Sequence, residues 1–423
     1  MYVLYTSVLG LGLILTLPYY LIRFRKYLPF VRERLGFVDS EHGASTVWVH
    51  AVSVGEVKAV DSLLGGLRGQ FPGNRIVVST TTATGRGLAL ERSDPDRVIY
   101  FPLDFPSAVR RCLDRIQPNL VVVAETEIWP NFMRECDRRK IPVFMVNGRI
   151  SDQSYKQYRL ARRWLRRVLR KYRVLGMQSE MDANRICSIG APKDKVVVFG
   201  NLKYDLKGSV RDLESMFKAT LSQMQPLIVA ASTAGEEEPL VLEAYRQLQK
   251  TQPGLKLLIA PRLPERFAEV EQMLQSNGLI YVRRSALTAR TEPPDILLLD
   301  TIGELTAAFE YATLVFMGGT LVPRGGHNVL EPALFSKPVI FGPHMENFRD
   351  IARTFLDARA AIQVADVEGL VHEIRTLLDS PAAAAKMGQN ARQLVEDNRG
   401  ATARFLEAVR VSLDTDSDPA IRR

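Results

Sequence analysis

Residues that build metal sites and disulfide frameworks are scarce in this sequence: its 423 residues include three cysteines and five histidines. Cys112, Cys136 and Cys187 stand far apart and fit no metal-ligand spacing, so reduced thiols in a cytosolic setting are expected. There is no His-Glu-x-x-His helix, no paired Cys-x-x-Cys and no aspartate-rich loop, and no metal is expected. A Gly-x-Ser-x-Gly nucleophile elbow and a Walker loop are missing as well, which removes two large enzyme classes. No nucleic-acid-binding module is recognisable, so nucleic acid is not an expected partner. Internal repeats are absent, and only 414–423 reads as a frayed tail.

What is present suits a folded enzyme. The length exceeds what one hydrophobic core organises, so two domains of roughly 170 to 200 residues are expected. Hydrophobic residues make up 46% and charged residues 24%, an ordinary balance that argues against extended disorder. The net charge of +9 is concentrated rather than spread. Residues 156–173 read KQYRLARRWLRRVLRKYR, with nine Lys or Arg and no acid, so this segment alone matches the charge of the whole chain. Ala161, Trp164, Leu165, Val168 and Tyr172 recur at helical spacing, leaving one apolar face and basic flanks. Two readings stay open: an apolar stripe packed on its own domain, or a helix that seeks anionic lipid.

Residues 2–22 carry no charge, and as a helix they would be about 32 Å long against a hydrocarbon core of about 30 Å. Arg23, Arg25 and Lys26 follow, so the positive-inside rule leaves the rest of the chain in the cytoplasm. No cleavage site of small residues follows the run, and a retained anchor over 1–30 is expected. Thr6, Ser7, Thr16, Pro18 and the tyrosines dilute its apolarity, so a helix lying in the membrane interface is the alternative to one that spans.

Behind this segment, short β-branched runs alternate with amphipathic stretches, the rhythm of helices wrapped around parallel sheets. The expected strands are 46–50, 75–79, 120–124, 143–147 and 174–177, then 227–231, 256–260, 296–299, 314–317 and 338–341. The join falls in the polar stretch 203–215, which gives one domain over 31–205 and a second over 206–400. Ligands of doubly wound sheets bind outside the carboxyl ends of the strands, so the loops there are where chemistry should sit.

The first such loop, HAVSVGEV (50–57), puts Glu56 near a helix start, either as a general base or as a helix-capping glutamate, and spacing alone favours the cap. In AETEIWPN (124–131), Glu125 and Glu127 straddle the end of an apolar strand, where acids need partners. In the second half, Gly318, Gly319, Gly325 and Gly326 bring backbone N–H groups toward a ligand, and a helix starts near Asn328, together a candidate phosphate cradle. Glu331 is placed for ribose hydroxyls or simply for the helix dipole. Arg262 follows a strand and suits a phosphate, with a surface ion pair as the alternative. Gly303, in DTIGELT, offers backbone groups to a nucleobase.

Taken together, HAVSVGEV, AETEIWPN, GNLKYD, APRLPERF, DTIGEL and GGTLVPRGGHNVLEPALFSKPVIFGPH closely resemble the bacterial 3-deoxy-D-manno-octulosonic acid (Kdo) transferases, in the same order over nearly the whole chain. The resemblance implies a GT-B glycosyltransferase fold, two Rossmann-like domains facing across a cleft, with residues 401–423 returning toward the first. It implies transfer of Kdo from CMP-Kdo to a lipid A precursor (lipid IVA) in lipopolysaccharide core biosynthesis, with inversion and without a metal or other cofactor. By matching motifs, Glu56 becomes the proton acceptor. Pro261, Arg262, Ile302, Gly303, Glu304, Asn328, Val329, Leu330 and Glu331 line the CMP site, with Gly318, Gly319, Gly326 and His327 beside them and Glu125 and Lys203 in support. It also implies an inner-membrane enzyme whose domains lie on the cytoplasmic side against an anionic leaflet.

Overall fold

The computed structural model describes residues 2–23, 30–40, 45–92, 95–206, 212–288 and 292–417. Arg25, Lys26, part of the expected join and the end of the tail lie outside the described residues. The chain forms two compact units: the residues before 207 together with those from Asn398 onward, and the stretch between them up to Asp397.

The first unit is built on a seven-stranded parallel sheet of β1 (Thr46–His50), β2 (Arg75–Thr80), β3 (Arg97–Tyr100), β4 (Pro118–Ala124), β5 (Val143–Gly148), β6 (Val174–Met177) and β7 (Val196–Val198). Its order is β3-β2-β1-β4-β5-β6-β7. Side chains alternate between faces, as a pleated strand requires. Trp48, Val121 and Val123 enter one core, while Val47, Val49, Leu120 and Val122 enter the other. Both faces are buried, which is why these strands read as continuous hydrophobic runs.

The helix Ala401–Ser417 closes the second of these faces, burying Ala401, Phe405 and Val409 there. Asp205 accepts from the N–H groups of Gly400 (2.6 Å) and Thr402 (2.6 Å), fixing the start of that helix. Phe405 packs edge-on against Phe144 and Phe199.

The second unit carries a sheet of the same kind: β8 (Leu227–Thr233), β9 (Lys256–Pro261), β10 (Tyr281–Arg283), β11 (Ile296–Leu298), β12 (Leu314–Met317), β13 (Val339–Phe341) and β14 (Ala361–Gln363). Its order is β10-β11-β9-β8-β12-β13-β14. The direction of winding reverses between β1 and β4 in the first sheet and between β8 and β12 in the second. Each reversal opens a crevice at the carboxyl ends of its strands, where such folds bind ligands. The loops carrying Glu56 and Glu125 flank the first reversal, and the loop carrying Gly318 and Gly319 flanks the second.

The ten expected strands are present, three with the expected ends and seven with an end shifted by one or two residues. The four that were missed, β3, β7, β10 and β14, are the edge strands of the two sheets. They are only three or four residues long and, apart from β3, mostly half-exposed; β10 (Tyr-Val-Arg) and β14 (Ala-Ile-Gln) lack an apolar run, whereas β3 (Arg-Val-Ile-Tyr) and β7 (Val-Val-Val) carry one too short to stand out.

Two helices depart from expectation. Residues Tyr2–Arg23 form one helix, but among the described residues no helix is both long and apolar enough to cross a membrane, so the spanning anchor is not supported. Thr6, Ser7, Thr16 and two glycines lower the apolarity of this helix, and its inner face docks through specific contacts. Tyr5 packs on Trp164 with ring centroids 5.7 Å apart, and the Asn131 amide donates to the Thr6 hydroxyl (3.0 Å). Val3, Leu4, Val8, Leu11, Ile14 and Leu15 face outward and exposed. The basic segment is two helices, Asp152–Leu160 and Arg162–Leu169, broken at Ala161. Its apolar stripe packs on its own unit, with Leu165, Val168 and Tyr172 in the core, while Arg162, Arg163, Arg166 and Arg167 stay exposed.

Candidate active site

β1 ends at His50, and the chain turns through Ser53, whose extended backbone caps the helix Val54–Gln70. The Ser-x-x-Glu spacing is that of a capping box, with the glutamate reaching one residue further back, to Val52. The Glu56 N–H points to Ser53 Oγ (3.5 Å), and the Glu56 carboxylate accepts from the Ser53 hydroxyl (3.0 Å) and the Val52 N–H (2.8 Å). The turn is braced from behind by β2: the Thr81 N–H and the Thr81 and Thr82 hydroxyls all donate to the Val52 carbonyl. Glu56 is therefore held at both oxygens and lies almost wholly buried. Burial pushes its pKa up to about 8, helped by the nearby negative charge of Glu125 and to a smaller degree Glu127, against the hydrogen bonds from Val52 and Ser53. A carboxyl poised near neutrality is what a general base requires.

The second wall is the loop after β4. Glu125 sits at positive φ (54°), its N–H bound to the Val146 carbonyl. Burial raises its pKa, while Lys203 and then Arg149 pull it back. Burial and Glu125 together push Glu127 up to about 7. Lys203 arrives on the short turn Leu202–Tyr204, fixed by Asn201 and by the Asn147 side chain, which accepts from the Leu202 N–H. Arg149 is placed by Thr126, whose hydroxyl accepts from the Arg149 N–H (2.9 Å) and donates back to its carbonyl (2.5 Å). The first unit thus gathers Glu56, Glu125 and Glu127, which the sequence singled out, with Lys203, which the resemblance implied, and adds Arg149. Arg149 carried no sequence signal beyond following a strand.

His50, at the end of β1, belongs to the buried interior. It is fully buried, stacked on Phe101 at 3.9 Å and bound to Ser79 Oγ (2.9 Å), and burial lowers its pKa to about 3, so it stays neutral.

In the second unit Pro261 ends β9 and leaves Arg262 exposed. The neighbouring β11 leads into the turn 300–304, where Ile302 is 73% exposed and Gly303 adopts φ 89°, a conformation costly to a residue with a Cβ. Glu304 is not a free ligand: its carboxylate is buried and takes hydrogen bonds from Arg284 (2.8 Å) and Thr301. Val329 and Leu330 are wholly buried, so their side chains serve the core and only their backbone can meet a ligand. Glu331 accepts from Thr306 (2.8 Å) and Asn328 (3.2 Å), which ties the 328–331 loop to the 300–306 loop.

One expectation is corrected here. The N–H groups of Gly319, Thr320 and Leu321 do form an anion-binding nest, but Glu237 fills it, at 2.6, 2.9 and 2.8 Å. They are not offered to a phosphate. A Cβ on Gly318 would lie 2.8 Å from the same carboxylate, so Gly318 serves this internal contact. Gly326 donates its N–H to the Gly319 carbonyl (2.9 Å), and His327 lies against Gly319, so both shape the loop. Among the described residues no cluster of His, Cys, Asp or Glu is arranged to hold a metal.

Comparison with known proteins places this geometry. Residues 30–206 match the family described as 3-deoxy-D-manno-octulosonic-acid transferase (kdotransferase). A 3-deoxy-D-manno-octulosonic acid transferase of Haemophilus influenzae is 32% identical over 397 residues, 92% of this chain and 92% of its own. One from Bordetella pertussis is 35% identical over 86% of this chain and 87% of its own. Among solved structures, a putative UDP-N-acetylglucosamine 2-epimerase from Listeria monocytogenes superposes with TM-score 0.58 over 88% of this chain and 97% of its own, at 15% identity. That likeness shows a shared two-domain fold and no more.

Proposed function

This chain belongs to the 3-deoxy-D-manno-octulosonic acid (Kdo) transferase family, and from that premise we propose that it moves Kdo from CMP-Kdo to a hydroxyl of the lipid A precursor lipid IVA, with Glu56 as general base. The observation that carries the assignment of the base is the Glu56 carboxyl, buried at the first switch point and held near pKa 8. In the reaction Glu56 takes the proton from the acceptor hydroxyl as its oxygen bonds to the anomeric carbon of Kdo. The bond from that carbon to the phosphate oxygen breaks, and CMP leaves with the electron pair. The displacement inverts the anomeric centre through an oxocarbenium-like state and needs no covalent intermediate. Glu125, beside Lys203 and Arg149, supports the charge that develops.

Arg262 and the backbones at Pro261, Ile302, Gly303 and 328–331 hold CMP. Arg262, exposed at a strand end, suits the phosphate. Glu304 and Glu331, already engaged with neighbouring side chains, hold the loops in shape. With no divalent ion in the scheme, transfer should persist unchanged in excess chelator, and CMP should compete with donor far better than UMP. A loss of activity on chelation reversed by added magnesium would contradict the first expectation, and equal competition by UMP the second.

The acceptor is an anionic lipid of the inner leaflet. The exposed apolar face of the helix Tyr2–Arg23 and the basic face of Arg162–Leu169 fit a protein that lies on that leaflet, with its domains on the cytoplasmic side.

A further inference from the structure

The second unit contains one cation, Arg284, that is almost buried and that the reaction scheme leaves unused. It stands on the short turn Arg284–Ala286 directly after the edge strand β10. Its Nη2 donates both to Glu304 (2.8 Å) and to Glu214 (3.0 Å), and its guanidinium lies 4.5 Å over the Phe217 ring. The residues on either side grip the same loop at its other end. Arg283 Nε donates to the Asp300 carboxylate (2.7 Å), and Ser285 donates to it from its N–H (2.9 Å) and its hydroxyl (2.5 Å). Three consecutive residues therefore fix Asp300 and Glu304, the two ends of one turn, while Ile302 and Gly303 at its tip remain exposed.

Fixing both ends of so short a turn fixes the direction of the backbone groups at its tip, the more so with Gly303 at positive φ. Glu304 in turn depends on Arg284, because a buried carboxylate that loses its cation partner reorients toward water. We propose that Arg284 is a positioning residue for the donor nucleotide: acting through Glu304, it holds the Ile302–Gly303 tip in the conformation that meets CMP. This rests on the reading that the tip binds CMP. Lysine is a poor replacement, since an ammonium cannot lie flat over the Phe217 ring while its nitrogen reaches both Glu304 and Glu214.

The full-length chain carrying Arg284→Lys tests this, with CMP affinity by calorimetry, donor KM and kcat by transfer assay, and Tm measured together. The expected result is a weakening of CMP binding and a rise in donor KM of about tenfold or more, with kcat at saturating donor within about threefold of wild type. Glu214→Gln, which removes the more exposed partner, should leave CMP affinity within about twofold. Arg283→Gln, at a half-buried side chain, should raise donor KM by about threefold with little change in Tm. Unchanged donor KM in both arginine variants, or an equal loss in Glu214→Gln, would overturn the proposal. Gly303→Val separates the two levels: if it binds CMP normally, the placement of the nucleotide fails, whereas if it loses CMP and the arginine variants do not, only the role of Arg284 fails.

Discussion

Glu56 does two jobs that oppose each other energetically. As the third residue of a capping box it stabilises the start of its helix, and as a buried carboxyl near two other acids it resists ionisation. Its folded pKa of about 8 lies above the unfolded value, so the stability tied to its proton is fully present below about pH 4.5 and is lost as pH rises through 8. Activity runs the other way, because only the ionised form accepts a proton. Transfer by the wild type should therefore climb with pH up to about 8, while Glu56→Gln should lose activity yet gain Tm relative to wild type as pH goes from 5 to 9. A Tm difference that does not change with pH would remove the buried ionisation from the account. From spacing alone Glu56 read as a cap, and the resemblance made it the base; in the structure its capping bonds sit beside a burial that raises its pKa. Glu237 and Arg284 were invisible because their partners lie far along the chain: Glu237 is 82 residues from Gly319, and Arg284 is 70 from Glu214.

Local patterning had mixed success at the level of helices and strands, for a physical reason. Strands buried on both faces announce themselves as β-branched runs, and all ten inner strands were legible. The edge strands contact the sheet on one side only and are three or four residues long, so even the Val-Val-Val of β7 is too short a run to announce a strand. The basic segment shows the same limit: its apolar stripe was legible, yet the break at Ala161 was not, because nothing in the local pattern marks it. That stripe packs inward, so any membrane contact made by this segment rests on its exposed arginines. Replacing Arg162, Arg163, Arg166 and Arg167 with glutamine should weaken sedimentation with vesicles containing phosphatidylglycerol and leave CMP affinity unchanged. Equal sedimentation of the two proteins would assign the segment to packing alone. For the N-terminal helix, no helix among the described residues is long and apolar enough to cross a membrane.

Across the whole molecule, two doubly wound sheets each bring their informative loops to the carboxyl ends of their strands. This is why motifs scattered over the sequence, from residue 50 to residue 344, resolve into one set of loops in each unit. The architecture was readable because it follows from alternating patterns and a single polar join. The filling of the Gly318–Gly319 loop was not, because a glycine-rich loop reads the same whether its amides bind a phosphate or an internal carboxylate. The central claim is transfer of Kdo with Glu56 as base, and the direct test is transfer of labelled Kdo from CMP-Kdo to a tetraacyl lipid A precursor by wild type and Glu56→Ala side by side. The account predicts that wild type transfers and that the variant binds CMP normally while losing on the order of a thousandfold in rate. A variant that keeps transfer within about tenfold of wild type would make Glu56 a helix cap only, and a wild type that leaves the acceptor unmodified would contradict the proposed reaction itself.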